Sequence, residues 1–442
     1  MTEQLDGTAP GAGPPGIATA SYAADEALLA ELRAAWPTAA VPGDGERGYI
    51  TTDLDGSEPA AVLRLGDRFA VALVVQPGER FAVVPVVRDE ILVTSWRHAR
   101  AGDGLSAFVA GAPAASERTI DADQTNASVV VGEKVIVKWF RSVGPLPSRA
   151  TLLLTHLDAV GFRDMPAPLG SVAWRSPAGR ELTIAQGDVF LPGARDGWEW
   201  CIERVQEHVD HGRAACPAAC DPWIGGPLGR LIGRLHAALG TASDTIPEPV
   251  SAADPAELAV WRLRAHATLD EALERTVEQD PAAAGVLGAM EPSMRADLDR
   301  LPVDRPIPTR PVHGDLHVGQ VLEWPGGLAV IDFDGNPALG DAANALRQPI
   351  ERDLAQMLSS LDHVGRVVEH HAAGRAAVGL IVKAWIARTR REFLAALDAR
   401  PDPALLAAFE VEQECRELVY AARFLPRWRY APLATLRARY GG

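Results

Sequence analysis

The sequence has few cysteines, no long apolar run and fewer basic than acidic residues, and each shortage excludes something. Four cysteines in 442 residues do not make a disulfide framework. No apolar stretch reaches the ~18 residues of a membrane-spanning helix. The N-terminus also lacks a basic segment followed by an apolar core, so the expectation is a cytoplasmic protein with neither membrane span nor signal peptide. Lys and Arg total 43 against 58 Asp and Glu, a net charge of −15, which disfavours nucleic acid or an anionic membrane as the main partner. A phosphate-bearing substrate stays open, because a metal or a few local cations hold a phosphate against the global field. No internal repeat is visible.

What is present is ordinary globular material. Hydrophobic residues make up 47% and charged residues 23%, enough to bury a sizeable core. At about 150 residues per domain the length suggests two or three domains. The Gly- and Pro-rich segment Gly7–Gly16 predicts a mobile tail over residues 1–20. A helix is expected around Asp25–Ala35, with Leu28, Leu29 and Leu32 at helical spacing. From Tyr49 to Thr94 apolar runs broken by turn signals predict hairpins. A second β region runs from Thr119 to Phe140, with two strands joined at Gly132-Glu133. The pattern is then helical through Val160, with strands at Leu182–Ile184 and Val189–Leu191. Past Trp198 it is dominantly helical: Leu228, Leu231, Ile232, Leu235 and Leu239 form one stripe, and Asp254-Pro-Ala-Glu257 reads as a capped helix start. One hairpin, Val321–Phe333 turned at Pro325-Gly-Gly327, interrupts the helices. The whole reads as α+β with two lobes.

The sharpest chemical signal is His313-Gly-Asp-Leu-His-Val-Gly-Gln320, followed by Asp332 in Val330-Ile-Asp-Phe-Asp-Gly335. Phosphoryl transfer needs a carboxylate near the attacking hydroxyl and oxygen ligands for Mg²⁺ across the nucleotide phosphates. Asp315 supplies the first; the Gln320 amide and Asp332 supply the second, a set Mg²⁺ accepts. The plainer alternative is a loop Asp capping a turn beside a buried hairpin. The order of the four parts favours a kinase.

His313-Gly-Asp-Leu-His317 with Ile331-Asp-Phe-Asp-Gly335 resembles the core of the aminoglycoside-phosphotransferase and protein-kinase-like fold, most closely the maltokinases and their glucosamine-kinase relatives. The resemblance continues through Asn126–Lys138, Phe190–Trp198, Arg352–Leu358 and Glu417–Trp428, covering roughly residues 115 to 435. It implies a bilobal fold: an N-terminal β-rich cap (1–110), a β-rich nucleotide-binding N-lobe (111–190) and a helical C-lobe (191–442). It implies Asp315 as catalytic base, Gln320 and Asp332 as metal ligands, and Lys138 on the nucleotide phosphates. Ser128, in the polar run Thr125–Ser128, would cover the phosphates, though no GxGxxG motif is present. Gln186, Asp188 and Val189 fall at the adenine-binding segment. The helix Arg149–His156 carries no carboxylate where the fold usually places a Glu, which leaves the partner of Lys138 open. Asp353 is expected to cap backbone amides near the catalytic loop.

The acceptor is read from the C-terminal helix. Glu410, Glu414 and Glu417 share one face at i, i+4 and i+7, with Gln413 and Tyr420 beside them. Taken alone, such a stripe is a solvated acidic face. By resemblance this helix grips the sugar, and Gln413-Glu-Cys-Arg-Glu417 is closer to glucosamine kinases than to true maltokinases. Glu410, Glu414 or both would then hold an amine. Trp428 stacks on the sugar or belongs to the core. The expected reaction is ATP- and Mg²⁺-dependent phosphorylation of D-glucosamine at its 6-hydroxyl by a monomer. Maltose 1-phosphate formation, aminoglycoside phosphorylation and a catalytically dead sugar sensor are the alternatives. His208, His211, Cys216 and Cys220 have a zinc-like spacing, with an ordinary surface connection as the plainer reading. His236 reads as a buried, hydrogen-bonded histidine, and Arg423 and Arg427 as partners of local carboxylates.

Overall fold

The computed structural model describes residues 19–36, 57–78, 80–88, 96–120, 126–144, 148–211, 220–336, 347–372 and 376–441. Of the tail expected over residues 1–20, residues 1–18 lie outside them, as do Thr125 and Cys216, while Ala20 already opens a strand. The chain divides into two compact units, Met1–Leu152 with Pro166–Pro192, and Leu153–Met165 with Gly193–Gly442.

The first unit is built on two sheets. One has the strand order Ala20–Tyr22, Pro168–Arg175, Glu181–Val189, Val135–Trp139, Ala127–Val131, Glu117–Thr119, antiparallel except for its first pair. The other runs Pro59–Arg64, Phe69–Gln76, Arg80–Arg88, Trp96–His98, with Ser142–Val143 pairing the Arg80–Arg88 strand. Their apolar side chains share one core that includes Val62, Leu73, Val137 and Ile184. The Phe69–Gln76 strand is buried at successive positions, so both of its faces are covered. The helix Glu26–Ala35 buries Leu28, Leu29 and Leu32, and Asp25 caps it by accepting the Leu28 N–H at 2.9 Å. Gly132 and Glu133 both adopt positive φ, 56° and 53°, the geometry a two-residue hairpin turn demands. The two strands expected at Leu182–Ile184 and Val189–Leu191 are one, Glu181–Val189. Its ladder to the Val135–Trp139 strand runs unbroken through Gly187 and Asp188.

The second unit is mainly helical. The Leu228, Leu231, Ile232, Leu235, Leu239 stripe of the Gly225–Leu239 helix is buried. The Pro255–Gln279 helix begins with the expected capping box: Asp254 accepts from the Ala256 and Glu257 amides, and Glu257 accepts from the Asp254 amide. The hairpin Val321–Trp324 with Gly327–Val330 stands among the helices as anticipated. The Pro403–Phe424 helix packs against Pro255–Gln279, Pro281–Leu298, Glu351–His371 and Tyr430–Tyr440. Little of its circumference is left for solvent. No described helix is long and apolar enough to cross a membrane.

Candidate active site

The loop after the Ile307–Pro311 strand carries Asp315, and one helix holds that loop. From Glu351–His371, Asp353 accepts the His313 and Gly314 amides at 2.8 and 2.9 Å, Gln356 the Leu316 amide at 3.1 Å and Ser360 the Val318 amide at 3.1 Å. These three side chains satisfy backbone donors that no strand partner reaches. Asp353 is fully buried and also takes the His236 Nε2–H at 3.0 Å. Burial alone would raise its carboxyl, but the His236 hydrogen bond, the nearby histidines and the Gly314 amide hold it below the usual value. His313 donates Nε2–H to the Ile331 carbonyl at 2.8 Å, and burial holds its imidazole below the ordinary range. Gly314, at φ 85°, supplies the left-handed turn between His313 and Asp315. Behind the loop, a Cβ on Gly197 would lie 1.6 Å from the Val318 carbonyl oxygen, so only glycine lets the Gly197–His211 helix approach so closely.

Asp315 is desolvated there. Burial, reinforced by Asp332 and Glu417, pushes its carboxyl up to about 6, with His313 and an Asn336 hydrogen bond opposing. Asn336 and Gln356 both donate to Oδ1, at 3.0 and 3.4 Å. The hairpin, closed by the Val321–Val330 pair and the Ile331 amide on the Gln320 carbonyl at 3.0 Å, brings Gln320 to Asp332. The Gln320 side-chain nitrogen stands 3.4 Å from Asp332 Oδ2, and a half-turn of the amide presents its oxygen instead. One amide and one carboxylate meeting so closely fit a hard, oxygen-seeking divalent cation such as Mg²⁺. Asp332 adopts φ 63°, a left-handed conformation that aspartate tolerates better than most residues.

Asp315 lines a cleft of about 900 Å³ shared with Trp198, His317, His363, Gln413, Glu417, Tyr420 and Trp428. Gln413 and Trp428 donate to the two oxygens of Glu417, at 3.0 and 3.1 Å. Trp428 packs edge-on against Trp198 and His363, so it stands in the cleft wall and is braced by neighbours at once.

Glu410 and Glu414 do not line this cleft. Glu410 is paired with Arg390 and with Arg439, the latter at 3.0 Å. Glu414 is 3% exposed and accepts the His363 Nε2–H at 2.9 Å. Although burial alone would lower it, the Glu414 charge and hydrogen bond and the nearby Glu417 and Asp362 push His363 up to about 9. The expectation that Glu410 or Glu414 would hold an amine is therefore corrected: their partners come from other helices, and of the stripe only Glu417 faces the cleft. The solvated-face reading fails as well, since Glu410, Glu412 and Glu414 are all buried. Glu412 was not singled out from the sequence. Despite full burial, Arg352, Arg416 and Arg264 pull it down to about 2. Arg423 reaches not a local carboxylate but Glu271, far along the chain, at 2.5 Å.

The residues expected at the nucleotide lie in the first unit. Ser128, Lys138 and Gln186 are register partners across three adjacent strands, hence neighbours on one sheet face. Gln186 donates to Asp188 at 3.1 Å and accepts the Thr151 hydroxyl at 3.0 Å. The helix that lacks a Glu thus supplies a hydroxyl beside the Lys138 row. The Val189 amide donates to the Ala167 carbonyl at 2.9 Å. Of the zinc-like set, Cys220 Sγ lies 3.9 Å from His208 Nδ1, and no described group of three or more His, Cys, Asp or Glu is arranged to hold a metal. Gln356, Ser360, His363 and Asn336 were missed. A signal for the first two existed: Gln356 and Ser360 stand at i+3 and i+7 from Asp353, on the same helical face.

A family model described as a phosphotransferase enzyme family matches residues 119–377. A glucosamine kinase of Streptacidiphilus jiangxiensis is 37% identical over 443 residues, covering 91% of this chain and 95% of that protein. A glucosamine kinase of Mycolicibacterium smegmatis is 35% identical over 382 residues, covering 80% and 92%. The solved structure of a glucosamine kinase in complex with glucosamine, ADP and inorganic phosphate is 32% identical, spans 93% of this chain and 98% of its own, and superposes with a TM-score of 0.75. The chain belongs to the phosphotransferase enzyme family and is a sugar kinase, placing a phosphoryl group on an acceptor hydroxyl.

Proposed function

We propose that the protein uses ATP to phosphorylate D-glucosamine at its 6-hydroxyl, giving glucosamine 6-phosphate. The carrying observation is that Asp315, Gln413, Glu417 and Trp428 line one cleft, in a chain whose relatives along nearly their whole length are glucosamine kinases. With Oδ1 of Asp315 engaged by Asn336 and Gln356, Oδ2 takes the proton of the acceptor hydroxyl as the hydroxyl oxygen attacks the γ-phosphorus and the bond to the bridging oxygen breaks, releasing ADP. A carboxyl near pH 6 is ionised at neutral pH and still basic enough for that transfer. Glu417, held rigid by Gln413 and Trp428, receives the ammonium of the sugar through a charge-assisted hydrogen bond. Gln320 and Asp332 would hold Mg²⁺, which when bound offsets charge on the phosphate oxygens. Ser128, Lys138 and the Gln186–Val189 strand serve the nucleotide.

The test is a panel of glucosamine, glucose, maltose, N-acetylglucosamine and kanamycin with ATP and Mg²⁺. Glucosamine should have the highest kcat/KM; faster turnover of maltose or kanamycin would overturn the assignment. Asp315→Asn should lower kcat by about 10²- to 10⁴-fold, and full activity would refute the role of the base.

A further inference from the structure

Three guanidiniums converge on one carboxylate in the second unit. Glu412 accepts from Arg416 at 2.5 Å and from Arg352 at 2.8 Å, and Arg264 Nε stands 3.6 Å away. No other carboxylate of the described residues lies at ion-pair distance from any of the three, so the cluster holds a surplus of two positive charges. Burial makes that surplus costly: it lowers Arg264 and, with the neighbouring arginines, holds Arg352 down to about 9 against the pull of Glu412. Arg352 is buried and out of a ligand's reach. Arg264 and Arg416 are not: both line the acceptor cleft beside Gln413, their side chains 25% and 16% exposed. Arg264 Nη1 and Nη2, and Arg416 Nε and Nη1, make no hydrogen bond among the described residues, yet none of these four nitrogens is buried. The other cations of this wall are matched, Arg423 by Glu271 and His363 by Glu414. Reachable donors with a surplus of two charges suit a doubly charged oxyanion. A phosphate monoester carries about −1.5 to −2 near neutral pH, whereas a single carboxylate would leave half of the surplus unmatched. The cleft, about 900 Å³, stands near the top of the roughly 300–1,000 Å³ range of small-molecule sites, so a phosphate fits beside a monosaccharide.

We propose that Arg264 and Arg416 form an oxyanion subsite of the acceptor cleft, which takes a phosphate group, either borne by an amino sugar or free. That an amino sugar bears it rests on the acceptor reading above; the subsite itself does not. Each guanidinium donates charge-assisted hydrogen bonds to the phosphate oxygens through the nitrogens that Glu412 leaves unused. A phosphorylated amino sugar therefore binds the cleft more tightly than a neutral derivative of the same sugar.

The experiment is calorimetric titration of the full chain, without nucleotide or metal, with D-glucosamine 1-phosphate, methyl α-D-glucosaminide and inorganic phosphate. The wild type should bind the 1-phosphate at least about tenfold more tightly than the methyl glycoside, the effect of one charge-assisted hydrogen bond. Arg264→Gln leaves Glu412 its two nearer partners and should bring the two ligands within about threefold of each other, the one lost hydrogen bond accounting for the change. Arg264→Lys, which restores the charge without the planar fork, should keep part of the preference. Inorganic phosphate separates the sources. Binding as tight as that of the 1-phosphate, and lost in Arg264→Gln, assigns the subsite to free phosphate; weaker binding beside a clear preference for the 1-phosphate assigns it to the phosphorylated sugar. A wild type that neither prefers the 1-phosphate nor binds phosphate through Arg264 overturns the inference, as does a preference that Arg264→Gln leaves unchanged. Turnover of glucosamine is read separately. Its absence, with Arg264-dependent phosphate binding intact, refutes the acceptor assignment alone, and its presence without that binding refutes the subsite alone.

Discussion

The Glu351–His371 and Pro403–Phe424 helices both line the acceptor cleft, and both bury polar side chains, but toward different partners. The first points Asp353, Gln356 and Ser360 at backbone amides of the loop that bears Asp315. The second points Glu410, Glu412 and Glu414 at cationic side chains and leaves Gln413 and Glu417 to the cleft. In the proposed function the first helix positions the base and the second sets what the cleft accepts. His363 joins them, carried by the first helix and held by Glu414 of the second.

The comparison breaks most completely at Asp353. Asp353→Ala leaves the His313 and Gly314 amides and the His236 ring without their acceptor, and each buried orphan costs about 1–3 kcal/mol. Thermal unfolding should show a fall in Tm of many degrees, and kcat should fall far more than KM rises, because Asp315 loses its fixed place. A variant with wild-type kcat would mean that the clamp does not position the base.

A smaller effect, with the opposite kinetic split, is expected on the second helix. Glu417→Gln keeps the shape but removes the charge, and a hydrogen bond to a charged group contributes about 1.5–3 kcal/mol. The KM for glucosamine should rise roughly 10- to 100-fold, with kcat within a few-fold of wild type and Tm little changed. Equal losses for glucose and glucosamine would show that Glu417 does not read the amine.

The same contrast explains what the sequence made legible. Asp315, Gln320 and Asp332 lie within one short stretch, and a single hairpin brings Gln320 to Asp332, so local order was enough to place that pair. The helical run of the acidic residues was legible too. Which cavity each carboxylate faces was not, because Arg390 for Glu410, Arg352 for Glu412 and His363 for Glu414 come from other helices. Arg264, which also reaches Glu412, lies still farther away along the chain. The Glu181–Val189 strand was split in two for a similar reason: its continuity comes from pairing with Val135–Trp139, not from its own pattern.

The subtlest test uses the two aspartates of the first helix and its loop, whose carboxyls are shifted in opposite directions. Asp353 is held below its ordinary value by the groups that donate to it. Its stabilising contribution is present above the unfolded value and fades as pH falls through the folded one. Asp315 is pushed up to about 6, chiefly by burial, so its contribution is fully present only at acid pH and is lost as pH rises through about 6. The loop that bears Asp315 is thus less stable when that carboxyl is ionised, the state the proposed base requires. The acid limb of kcat/KM should bend near pH 6, about twofold down at the bend and about tenfold per unit below it. Asp315→Asn, though nearly inactive, should raise Tm by a few degrees at pH 8 and lose that advantage near pH 4. If the stability gain were equal at both pH values, the raised carboxyl would not be its source, and the asymmetry between Asp315 and Asp353 would lie in packing alone.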